Sequence, residues 1–139
     1  MKRTATIIRN TLVGLSLLSL VICCTDDEVE KESNLIGTWK LKEVLSDPGD
    51  GSGEFQPVDI NKNIEFLLDG TISSDQYLCF AGNAAGSPSS GVYILPDSIL
   101  QIDDCPDTPI PMRFSVQGQS LIISYPCIEP CQEKFVKVD

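Results

Sequence analysis

The 139-residue chain contains no histidine. That absence removes the side chain that titrates near neutral pH, and with it the Ser-His and Cys-His nucleophile pairs and the commonest zinc ligand. Cations are scarce as well: ten Lys and Arg stand against twenty Asp and Glu, a formal charge of −10. Three of those cations, Lys2, Arg3 and Arg9, lie in the first 23 residues, which hold no acid; the remainder has seven and a formal charge of −13. Such a balance repels phosphate backbones and anionic lipid surfaces, which argues against nucleic acid as a partner and serves solubility. Long apolar stripes of helical period are missing beyond residue 22, while ten Gly and nine Pro punctuate the chain. The length suits one domain with a modest core.

What is present begins with Met1-Lys2-Arg3, Arg9 and the apolar run TLVGLSLLSLVI, Thr11 to Ile22. A positive start followed by an apolar run too short to span a bilayer comfortably has the layout of a secretory signal. The run ends not in Ala-x-Ala but in Cys23-Cys24, followed by the acid-rich TDDEVEKES. In this the segment resembles the signal of bacterial lipoproteins, in which small residues precede a cysteine that is acylated on sulfur and then cleaved to the N-terminus. The resemblance implies lipid attachment at Cys24, with Val21 and the small Cys23 ahead of it; Cys23 is the alternative and would put bulky Ile22 next to the cleavage point. On this reading residues 1–23 are a signal peptide, and acyl chains hold the protein on a membrane. Residues 24–34, polar and acidic, read as a flexible tether. They also resemble the acidic export signal that takes some Gram-negative lipoproteins to the outer face of the outer membrane. The implied localisation is the outer membrane, at the cell surface, with a periplasm-facing position as the alternative.

Residues 35–139 read as eight short strands, at 35–46, 62–69, 71–80, 91–96, 98–103, 111–117, 119–126 and 131–139. Met112 to Gln117 alternates cleanly between apolar and polar, and Ile64, Phe66 and Leu68 repeat the pattern of a strand with one buried face. The inward set is Trp39, Leu41, Ile64, Phe66, Tyr93, Leu100, Met112, Phe114, Val116, Leu121 and Ile123, with Lys40 and Lys42 outward. Asp69-Gly70, Pro96-Asp97 and Gly118-Gln119 are tight turns, the first with the signature of a type I′ hairpin. The connections 47–61, 81–90, 104–110 and 127–130 are long. Tight and long links alternate, so in an up-and-down meander the tight ones gather at one end and the long ones at the other. That predicts an all-β, antiparallel cup with a closed base and a loop-lined mouth.

Several of these runs, LIGTWKL (35–41), IEFLLDGTI (64–72), GVYILPDSILQI (91–102), LIISYP (121–126) and the final KFVKV, resemble the small lipocalin-like domains of bacterial lipoproteins. The resemblance implies an eight-stranded antiparallel up-and-down lipocalin-like β-barrel over residues 35–139. Gly37 and Trp39 would form the barrel-base motif, the indole plugging the base under a basic side chain. The last strand has no arginine, so Lys134 or Lys137 must serve. The tether then joins the barrel at its base and the mouth faces away from the membrane.

Beside the acylation candidates, four cysteines remain: Cys79, Cys105, Cys127 and Cys131. An even count in an exported chain suggests disulfides, with three connectivities available. The meander puts all four at the mouth and favours Cys79–Cys105 with Cys127–Cys131. A four-cysteine zinc site is the sharper alternative, but the spacing lacks paired knuckles. The acids of the 47–59 loop, Asp47, Asp50, Glu54 and Asp59, fail the order of an EF-hand and read as an acidic lid. Asp97-Ser98-Ile99 resembles a short O-glycosylation signal of some Gram-negative exported proteins, on a turn that would expose it. No catalytic constellation, metal site or cofactor site is expected, so the chain reads as non-enzymatic. The candidate ligand-binding residues are those of the mouth: Phe55, Tyr77, Phe80 and Tyr125. Two readings stay open: a binding module for a small apolar or amphipathic ligand, and an accessory subunit of an outer-membrane protein complex with a packed barrel.

Overall fold

Period-two alternation gives each strand one face for a core and one for solvent. The computed structural model describes residues 26–82, 86–103, 105–106 and 111–138, with side chains from residue 30, and shows where those faces meet. A helix, α1 (Asp26–Leu35), precedes nine strands: β1 (Gly37–Ser46), β2 (Gln56–Pro57), β3 (Asn63–Phe66), β4 (Thr71–Ser74), β5 (Ser89–Ile94), β6 (Ile99–Ile102), β7 (Met112–Gln117), β8 (Ser120–Ser124) and β9 (Cys131–Lys137). They form one antiparallel sheet in the order β2-β1-β3-β4-β5-β6-β7-β8-β9, closed by pairing of β1 with β9. All eight predicted strands are present. The sequence pattern does not announce β2, which pairs with Glu43 and Val44 of β1 beyond the stretch that β3 occupies. The barrel proper is therefore eight-stranded, antiparallel and up-and-down.

Side chains fill its interior. Trp39, Leu41, Ile64, Phe66, Leu121, Ile123 and Phe135 are almost wholly buried, and Phe66, Tyr93 and Phe114 meet ring to ring at 5.4 to 6.5 Å. Of the expected inward set only Val116 is left half-exposed. Two local devices keep this packing possible. Opposite β9, a bulge between Leu41 and Glu43 shifts the phase of β1, so that Val44 faces Glu133 while Glu43 pairs with Lys134. At Gly91, an added Cβ would lie 2.1 Å from the carbonyl oxygen of Gln101, so β5 and β6 can approach this closely only with glycine there.

The Asp69-Gly70 turn differs from expectation. Only Gly70 has a positive φ, +86°, so the bend is not type I′. Gly70 N–H donates to Leu67 O at 3.1 Å and Leu67 N–H to Thr71 O at 3.0 Å, the three-residue loop that ends in a left-handed glycine. β3 therefore stops at Phe66, and Leu68, expected to continue the inward row, lies in the bend with 77% of its surface exposed. β4 likewise stops at Ser74 rather than running to residue 80, because Asp75 takes the Asn63 N–H at 2.8 Å and the Asn63 side-chain amide at 2.7 Å.

The acidic segment expected as a flexible tether is, over Asp26–Leu35, the helix α1. It contains neither Gly nor Pro, and Glu, Lys and Leu are good helix formers. Tertiary contacts hold it across the tight-turn end of the barrel. Lys31 Nζ donates to Leu95 O at 3.0 Å and Ser98 Oγ at 2.8 Å, Lys137 Nζ donates to Asn34 O at 3.0 Å, and Leu35 is completely buried. Trp39 closes this end: its Nε1–H donates to Leu35 O at 2.8 Å, and Lys137 Nζ lies 5.4 Å from its ring centroid. Gly37, at φ +124°, supplies the backbone turn from α1 into β1. Ser98 is half-buried beneath Lys31 rather than freely exposed.

Candidate functional site

The opposite end holds the long connections, and there the barrel interior becomes polar. Lys62 sits one step before β3 in the row of Ile64 and Phe66, and Glu133 lies in the row of Phe135; both are completely buried. Lys62 Nζ donates to the two carboxylate oxygens of Glu133 at 3.0 and 2.9 Å. Tyr125 Oη donates to the same carboxylate at 2.5 Å, and Gly82 N–H donates to it at 2.9 Å. Burial draws the Lys62 ammonium below the ordinary lysine value, with the Glu133 charge opposing. Burial first, and then the Glu133 charge, push the Tyr125 phenol well above its ordinary range, so it stays a neutral donor. Every buried side-chain polar atom among the described residues has a partner. The cluster presents no group to a substrate; it ties β3, β9 and the β4–β5 connection together.

Two disulfides complete this end, with the pairing expected. Cys79–Cys105 joins the β4–β5 and β6–β7 connections with Cα atoms 5.2 Å apart, and Cys127–Cys131 closes the β8–β9 connection at 6.1 Å. The mouth is consequently not an open cup. Leu78 is completely buried, its N–H donating to Ser89 Oγ at 3.1 Å, and Gly82 is pinned to Glu133. In the acidic loop, the Asp47 carboxylate accepts the N–H groups of Gly53 at 2.8 Å, Gly49 at 2.7 Å and Gly51 at 3.1 Å. These bonds, Gly53 foremost, hold Asp47 below the usual carboxylate range. Asp47 thus organises its own loop, and among the described residues no group of three or more potential metal ligands is found.

A cleft opens in the wall rather than on the barrel axis. β6 and β7 pair only at Ile99↔Arg113 and Leu100↔Met112 and then diverge. Beside them lies a cavity of about 570 Å³, bounded by the Cys79–Cys105 bridge, Phe80, Ile102, Met112 and three prolines, Pro106, Pro111 and Pro126. Among the described residues no charged side chain lines it. Its size falls within the range of small-molecule pockets.

The four residues expected near a ligand separate here. Phe80 lines the cleft, 52% exposed, with half-buried Tyr77 against it at 6.0 Å between centroids. Phe55 lies on the outer wall under Lys134 Nζ, 5.4 Å from its centroid. Tyr125 belongs to the buried polar cluster. Cys23 and Cys24, with residues 1–23 as signal peptide, lie outside the described residues. Comparison with known protein families, with curated proteins and with solved structures finds no match.

Lys62 and Glu133 are the pair that reading by motif misses. The signal was parity: rows 62-64-66 and 131-133-135 each carry one charge to the inside, and the two charges are opposite in sign.

Proposed function

We propose that the chain is a lipid-anchored, non-enzymatic, lipocalin-like binding module of the bacterial outer membrane, displayed at the cell surface. Its site is the cleft between β6 and β7, and its ligand is small, apolar or amphipathic, and uncharged where it enters the cleft. The observation that carries this reading is a largely apolar cavity of about 570 Å³ in the wall beside the Cys79–Cys105 bridge, with no charged side chain among its described lining residues. Trp39 and Phe66 are completely buried among the side chains that fill the interior, which favours the wall over the barrel axis as the place for a ligand. The anchor is supported by the lipoprotein-like signal ending at Cys24 and by the entry of α1 at the closed base.

A second reading has its own support. The filled interior, with Phe80 at 52% and Ile128 at 100% exposure on the rim of the loop end, also suits an accessory subunit that contacts another outer-membrane protein. Native mass spectrometry of the purified protein separates the two. Wild type should retain a small ligand, and Ile99→Trp, which enlarges a half-buried residue of the cleft, should not. Wild type that carries no ligand but co-purifies with a stable protein partner moves the assignment to the second reading. Metabolic labelling with a fatty-acid probe should label the wild type and lose the label when Cys24→Ala and Cys23→Ala are combined.

A further inference from the structure

We infer that the closed end of the barrel rests on the membrane itself, with the Leu67–Leu68 bend dipping into a neutral bilayer surface. The inference builds on lipid attachment at Cys24 and adds a second contact to it.

Reach comes first. A flexible segment over residues 24–34 could hold the barrel up to roughly 35 Å from its lipid. The structure replaces most of that length with α1, whose ten residues span about 15 Å and whose C-terminal end is fixed by Leu35 under Trp39. Cys24 lies two residues before α1, which allows at most about 7 Å more. An acylated Cys24 therefore keeps the base close to the bilayer.

The base is also where apolar surface is left uncovered. Leu68 is 77% exposed and Leu67 39%. Leu67, just past the end of β3, Thr71 on β4 and Val92 on β5 follow one another on the outer face, and Val92 is exposed as well. Tyr93 Oη donates to Leu67 O at 2.8 Å, which holds the bend in place beside the β5–β6 turn on which Lys31 sits. Leu67 and Leu68 thus stand on a rigid hairpin at the same end as α1.

Charge agrees with this orientation. Toward the base, Lys31, Arg113 and Lys137 donate to backbone carbonyls, namely Leu95 O, Asp97 O and Asn34 O. Toward the loop end, Lys62 and Lys134 are each held by a carboxylate. Cations held by neutral groups rather than by a carboxylate can turn to lipid phosphate. Glu30, Glu32, Asp69 and Asp97 occupy the same end, which selects a zwitterionic surface over an anionic one.

The test uses the mature acylated protein in phosphatidylcholine vesicles whose acyl chains carry bromine, a contact quencher of indole fluorescence. Trp39, completely buried, is the internal reference. The indole introduced by Leu68→Trp should shift to the blue and lose most of its emission, whereas one introduced by Ile128→Trp at the loop end should keep its own. An acylated protein whose Leu68→Trp indole stays unquenched overturns this inference and leaves the anchor standing. Quenching of Ile128→Trp in place of Leu68→Trp overturns it by reversing the orientation. A mature chain without acyl label, shown by the fatty-acid probe, overturns the anchor and this inference together.

Discussion

The two ends of the barrel are held by different physics. At the base the connections between strands are short: three tight bends, a glycine at φ +86° in the first of them, and one helix whose last residue caps the indole only four positions later, with Lys31 and Lys137 adding long-range hydrogen bonds to neutral oxygens. At the loop end the links join distant parts of the chain: a disulfide between residues 26 apart and an ion pair between residues 71 apart. Local devices close a barrel cheaply in chain entropy, but they need short connections. Long connections bring more surface for recognition and little core of their own, so covalent and ionic ties replace packing there. The candidate cleft lies at the end that depends on those ties.

The largest expected effect is therefore at Glu133. Glu133→Ala strands the Lys62 ammonium in the interior and leaves Tyr125 Oη and Gly82 N–H without an acceptor. Breaking one side of a buried pair costs about 3–5 kcal/mol, a large share of a domain's total stability. Lys62→Met combined with Glu133→Gln removes both charges while the amide can still serve Tyr125 and Gly82, so the double variant should recover most of that loss. Urea melts measure both. A cost below about 1 kcal/mol for Glu133→Ala would show that the loop end does not rest on this pair.

The disulfides come next. In the chain-entropy model, a bridge across 26 residues contributes about 3.5 kcal/mol and one across 4 residues about 2 kcal/mol. Cys79→Ser with Cys105→Ser should accordingly destabilise more than Cys127→Ser with Cys131→Ser. Hydrogen exchange sharpens the comparison: losing Cys79–Cys105 should expose the amides around residues 76–82 and 101–103, while those of Thr38, Trp39 and Tyr93 at the base stay protected. Uniform loss of protection at both ends would mean that the two ends open as one unit.

This contrast also explains what could be read from the chain. Strands and tight bends are written locally, in alternation and in Asp-Gly, Pro-Asp and Gly-Gln, and all eight strands follow from them. The disulfide pairing followed because the alternation of short and long links puts all four cysteines at one end. By contrast, α1 depends on docking Leu35 beneath Trp39, and an isolated ten-residue acidic segment shows no such partner. β2 is two residues long, too short for any pattern. Leu68 leaves the inward row because a three-residue loop ends β3 early, a choice made by turn geometry rather than by hydropathy. The cleft arises where β6 and β7 diverge after two pairs, a consequence of how the whole sheet closes. No single segment carries that information.

The smallest expected effect makes the sharpest control, because it sits one residue away from the largest. Lys134 and Glu133 are neighbours on β9, but alternation sends them to opposite faces. Lys134 Nζ meets Glu43 at 2.8 Å on the outer wall, with both side chains about a third exposed, while Glu133 meets Lys62 at 2.9 Å inside, with neither exposed. The two distances are nearly equal, so contact geometry alone predicts equal worth. Solvation predicts otherwise: water screens the outer pair and can take over either partner, which limits its contribution to about 0–1 kcal/mol. Glu43→Gln should thus shift the urea midpoint slightly and lose even that shift in high salt, whereas Glu133→Gln should leave a salt-insensitive deficit because Lys62 remains charged and buried. If the two substitutions cost the same, burial is not what distinguishes the loop-end interior from the wall around it, and the ties that shape the cleft must be sought in its disulfide alone.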